Sequence, residues 1–156
     1  MLVFPIFTAG DPRQLKTWGP RMKPVIQTEP TGCAIASCAA LAGISYSAAK
    51  KIANDLGIHA QDPTLWSDTT HIRRLLEVLG IKAATTEQSF RGWASLPDKA
   101  LLAIKWHREK GVPYWHWVVF ARENDKEYVL DSKKGLAKNK RTDFGRMKPR
   151  WFIAVT

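Results

Sequence analysis

A thiol attacks a carbonyl as its thiolate, and a helix N-terminus, with partial positive charge and unpaired N–H groups, favours that form. Cys33 stands at such a place: Thr31-Gly32 precedes it, the small apolar run CAIASCAALA follows, and Gly43 closes the run. Cys38 lies more than one turn further along, where a thiol serves as a small core residue. A thiolate also needs a base. Of the four His, His59 and His71 fall in or beside helical segments, His107 in the charged stretch WHREK, and His116 in the strand-like YWHWVVF. Glu123-Asn124-Asp125 then reads as a tight turn, and EYVLD runs back. If the hairpin closes over Glu123-Asn124, His116 and Asp131 lie directly opposite; if over Asn124-Asp125, they are one diagonal apart on the same face. Either register lets a carboxylate orient the imidazole. A lone His on a strand more often packs than reacts, so the facing Asp131 and the upstream Cys33 single His116 out. An oxyanion needs two donors. The Cys33 N–H is one, and the side-chain amide of Gln27, upstream across the turn-prone TEPTG, is the second.

These four residues need elements to hold them. The spacing predicts a buried helix over Cys33–Ala42 and a second from Ser45 or Ser47 through Asp55, ending at Gly57. A third, HIRRLLEVLG, is capped by Asp68-Thr69-Thr70 and has Ile72, Leu75, Leu76 and Leu79 on one face. After Gly80 the period changes. Residues 81–85, 100–106, 115–121, 127–131 and 151–155 are short runs of branched and aromatic residues, and a weak strand is expected near Lys23–Gln27. Trp115 and Trp117 share the face opposite His116, so they pack inward while His116 faces a cleft. Helices first and antiparallel strands second is an α+β order, read as one domain over 1–156 with an N-terminal extension at 1–22.

Composition bounds the rest. The chain has 156 residues, 45% hydrophobic and with seven Trp, ample for one packed core. Two cysteines five residues apart on one short helix cannot bridge, and the scattered His give no metal spacing, so no metal or organic cofactor is implied. The apolar N-terminus lacks a positive n-region and is interrupted by Pro5, which argues against a signal peptide. No run approaches the roughly 20 apolar residues of a membrane span. The expected location is the cytoplasm, or outside the cell by a signal-independent route. Net charge is +10, and Lys133–Arg150 holds eight Lys or Arg against the single Asp143. Such a segment is either a solvated loop or a surface for nucleic acid or an acidic partner.

Taken together, QTEPTGCAIASCAALAGI, HIRRLLEVLGIKA, HWVVFARENDKEYVLDS and the closing strand WFIAV resemble the papain-like cysteine peptidases, and within them the peptidase C39-like group. The order Gln, Cys, His, Asp fits that pattern over roughly residues 23–156. The resemblance implies a papain-like (C39-like) fold with Cys33 as nucleophile, His116 as general base and acid, Asp131 as its orienter and Gln27 as oxyanion donor. Many relatives have Gly after the Cys, where this chain has Ala34. Members that process leader peptides are fused to a membrane transporter with an ATPase domain, and neither is in this sequence. The expected activity is thiol-dependent hydrolysis of a peptide or amide bond, as a peptidase or a protein-glutamine deamidase acting on a peptide or protein substrate. A small basic chain of this kind fits a secreted effector or toxin. The alternative is a C39-like binding module without catalysis that uses its basic surface.

Overall fold

The computed structural model describes residues 22–156, so the N-terminal extension lies, apart from Met22, outside the described residues. Helix α1, Cys33–Ala42, is built of small residues and is buried from Cys33 through Ala40. Side chains this small let neighbouring elements approach from every side, which suits a central helix. It stops at Gly43, whose φ of 71° only glycine adopts readily. Helix α2, Tyr46–Asp55, is capped by Ser45, whose hydroxyl accepts the Ala48 N–H at 3.1 Å. Helix α3, Thr70–Val78, turns Ile72, Leu75 and Leu76 inward, and Asp68 accepts the Thr70 N–H at 2.7 Å just before it.

Six antiparallel strands follow: β1 Gln88–Ser89, β2 Lys99–Glu109, β3 Val112–Glu123, β4 Lys126–Leu130, β5 Lys140–Arg141 and β6 Trp151–Ala154. They form one sheet in the order β1-β6-β2-β3-β4-β5. Along β3 the side chains alternate. Trp115, Trp117, Val119 and Ala121 join the core beneath the helices, while Val118 and Phe120 join a second cluster with Met147 and Trp93 on the other face. The β3–β4 hairpin closes over Asn124-Asp125, both at positive φ (52° and 64°), as a two-residue turn twisted to match its strands. That is the second of the two registers the sequence allows.

The mixed helix-and-antiparallel-sheet architecture matches the α+β expectation, with differences at its margins. Lys23–Gln27 forms no strand; the Gln27 N–H donates to the Ser132 carbonyl at 3.0 Å. Residues 81–85 contribute one bridge, Ala83 to Val155, in place of a strand. The two-residue β1 and β5 are too short to leave a periodic signal. Among the described residues no single helix is long and apolar enough to cross a membrane; α1 and α2 would pass together, but they meet at 112°.

Candidate active site

Gly32 precedes α1 and no side chain caps it, so the first-turn N–H groups, that of Cys33 included, have no intrahelical partner. The approach to this helix is pinned from below. The Glu29 carboxylate bonds Tyr46 and Lys50 of α2, and the Glu29 carbonyl accepts the Gly32 N–H at 3.0 Å. Burial alone would raise the Glu29 carboxyl. The bonds from Lys50, Tyr46 and Thr28 outweigh it and bring the pKa down to about 2.

His116 comes to Cys33 from the sheet. Strict alternation along β3 would group it with Val118 and Phe120 on the face away from α1. The β2–β3 register shifts at this point: Ile104 pairs with His116 but His107 pairs with Tyr114, which leaves an extra residue in β2. Lys105 within this bulge has φ 54°. A bulge adds twist and re-aims neighbouring side chains, and here His116 lies near enough to the Cys33 side chain for the thiol to favour the charged ring.

The other side of the imidazole meets Asp131, one residue past β4. His116 Nε2 donates to Asp131 Oδ1 at 2.8 Å, which leaves Nδ1 for the thiol. Asp131 is 0% exposed, and its remaining valences are filled. The Lys133 N–H donates to Oδ1 at 3.0 Å, and Arg141 Nη1 donates to Oδ2 at 2.8 Å. Burial would raise this carboxyl, but the bonds from His116, Lys133 and Arg141 hold it well below the usual carboxylate range. Burial likewise pulls His116 down; the Asp131 and Cys33 interactions reverse that and push it up to about 9. Cys38, fully buried with no partner charge, is pushed far above the ordinary thiol range.

Gln27 is 6% exposed and its amide is fully used. The Ser132 hydroxyl donates to Oε1 at 2.6 Å, and Nε2 donates to the carbonyls of Glu29 (3.0 Å) and Pro30 (2.9 Å). These two carbonyl acceptors fix which end of the amide is nitrogen. Cys33 itself is 0% exposed. Beside it opens a cleft of about 580 Å³, walled by Gln27, Pro30, Trp66, Tyr114, Trp115 and His116, with Lys105, Lys133 and Lys134 at its charged side. The indole N–H groups of Trp66 and Trp115 are buried without an acceptor among the described residues.

The structure thus gathers Cys33, His116 and Asp131 and sets Gln27 at the cleft wall. Sequence reasoning missed Arg141 and Ser132. Arg141 sits in the run read as a basic loop, yet it bridges Asp131 and Asp143. The signal that could have found it is chemical: a carboxylate has two oxygens, and one His satisfies only one. Among the described residues no cluster of His, Cys, Asp and Glu is placed to hold a metal ion.

No family model matches this sequence, and no curated protein matches it. A solved structure does: a double glycine motif protease from an AMS/PCAT transporter, in complex with the leader peptide. The two are 14% identical and superpose with a TM-score of 0.54 over 86% of this chain and 91% of that one. At the level of the fold, this chain is therefore similar to that double glycine motif protease.

Proposed function

We propose that this protein is a thiol-dependent hydrolase of peptide or amide bonds. The observation that supports it is the placement of His116 against Asp131 at 2.8 Å and next to Cys33, with His116 lining an open cleft. Cys33 Sγ, its proton already held by the His116 imidazolium, attacks the carbonyl carbon. The resulting oxyanion is held by the Cys33 N–H and by Gln27 Nε2, which gives up one of its bonds to the carbonyls of Glu29 and Pro30. His116 protonates the leaving amine, and the C–N bond breaks to a thioester. Water, deprotonated by His116, then releases the acid and regenerates the thiol. The same steps hydrolyse a backbone peptide or a glutamine side-chain amide. The leader peptide bound by the similar protease supports an extended peptide as the cleft's ligand.

Two small reagents separate the roles. Iodoacetamide at neutral pH is expected to label the native protein rapidly, label Cys38→Ala equally fast and fail to label Cys33→Ala. Acylation by p-nitrophenyl acetate requires an oxyanion hole, whereas alkylation does not. Gln27→Ala is therefore expected to slow acylation by about 10²-fold and leave alkylation intact. Labelling that is slow, or that is lost only in Cys38→Ala, overturns the hydrolase reading; equal loss of both reactions in Gln27→Ala removes Gln27 from the oxyanion hole.

A further inference from the structure

The cleft beside Cys33 has a continuation on the other side of the sheet. A second groove of about 500 Å³ is floored by Ile104 and Met147 of the second core cluster and walled by Trp106, Pro149 and the cations Arg141, Arg146, Lys148 and Arg150. No carboxylate lines it. Arg141 is held by Asp131 and Asp143, but among the described residues Lys105, Arg146, Lys148 and Arg150 form no ion pair. Lys105 lines both this groove and the cleft, because the bulge in β2 sets it between them.

We propose that the substrate is an acidic polypeptide segment that lies in the cleft beside Cys33 and runs over Lys105 into this basic groove. The peptide's being a substrate rests on the hydrolase reading; the groove's preference for carboxylates stands on its own geometry. Burial holds the Lys105 amine below its ordinary value, and the neighbouring Lys133 lowers it further, a like-charge crowding that a carboxylate between them would relieve. The Arg150 guanidinium lies over the Trp106 ring at 4.0 Å, and Arg108 stands 5.5 Å from the same ring. That stacking orders the Arg150 fork for a bidentate carboxylate and puts a cation where a nucleobase would stack. The two grooves also differ in character. The first offers Trp66, Tyr114 and Trp115 beside its lysines, the second five cations around Ile104, Trp106, Met147 and Pro149. A polypeptide can place apolar residues in one and acidic residues in the other, and the one aromatic face of the second groove, Trp106, is already covered by Arg150.

The test uses full-length Cys33→Ala protein and a fluorescein-labelled peptide with an apolar half followed by a glutamate run, against the same peptide with glutamines. Fluorescence anisotropy is expected to show about tenfold tighter binding of the glutamate peptide at low salt, with the preference shrinking as salt rises. Lys105→Gln with Lys148→Gln is expected to abolish the preference while circular dichroism stays unchanged. Equal affinity for the two peptides overturns the proposal, as does a preference that survives the double variant. Tighter binding of single-stranded DNA or RNA of the same length overturns it in favour of nucleic acid. Iodoacetamide labelling of wild type reports the hydrolase separately: reactive Cys33 without glutamate preference removes only the acidic groove, and glutamate preference with inert Cys33 removes only the hydrolysis.

Discussion

His116 carries two opposing influences, and their balance sets the protonation of the site. Burial favours the neutral ring, while Asp131 at 2.8 Å and the Cys33 side chain favour the charged one and win, bringing the pKa from 6.5 to about 9. The imidazolium therefore stabilises the fold fully below about pH 6.5, and that contribution is lost as pH rises through about 9. In an NMR titration of labelled histidines, the His116 resonance is expected to have its midpoint near 9 in wild type and a lower one in Asp131→Asn and in Cys33→Ala. A midpoint that does not move in Asp131→Asn would mean that the carboxylate only positions the ring. The meeting of His116 with Asp131 was legible because the register of one short hairpin decides it. The role of Arg141 was not, since it depends on two-residue β5 pairing with β4, where Lys140 stands opposite Leu130. Nothing periodic marks so short a strand, and a guanidinium inside a basic run looks like its solvated neighbours.

At the scale of elements, the start of α1 is fixed by a close approach. A Cβ on Gly32 would collide with the Tyr46 hydroxyl and come within 3.2 Å of Gln27 Cβ and the Glu29 carbonyl. Tyr46 is held by Glu29 and packs in the core, so it has little room to yield. Gly32→Ala is expected to cost about 1–3 kcal/mol by overpacking, read as a lower denaturation midpoint, and to slow Cys33 labelling through the shifted helix start. Gly145, whose Cβ would meet nothing within 4 Å, is the control: Gly145→Ala is expected to leave both readings unchanged. Helix α1 was legible from its small residues and flanking glycines, and β3 from its branched and aromatic run. The bulge was not. KALLAIKWHRE reads as one continuous strand, and its extra residue is visible only against the partner β3, where pairing jumps from Ile104 to His107. That hidden residue falls next to His116, whose place in the alternation of β3 is with the face away from α1.

For the whole molecule, two electrostatic effects of salt oppose each other, and their magnitudes decide the sign. The chain carries 24 Lys and Arg against 14 Asp and Glu, so ten cations lack a formal counter-charge. Salt screens their mutual repulsion, which favours the compact state. It also weakens surface pairs such as Lys51–Asp55, at 3.7 Å with side chains 80% and 72% exposed. Pairs of that kind contribute about 0–1 kcal/mol each. The Asp131–Arg141 contact, at 2.8 Å with no exposed carboxylate surface, is largely beyond the reach of screening. Relief of repulsion should therefore dominate, most strongly around Lys133–Arg150, where Asp143 is the one acidic residue and is already held by Arg141. Thermal unfolding in sodium chloride is expected to show Tm rising by a few degrees between about 10 mM and 200 mM and then levelling, as the Debye length falls to within a side chain's reach. Replacing two exposed cations of that segment, Lys138→Glu and Lys148→Glu, is expected to raise Tm at low salt and flatten the dependence. A Tm that falls with salt in wild type would show that the ion pairs outweigh the excess charge, and that the basic segment is stabilised by partners within the fold rather than left open to an acidic one.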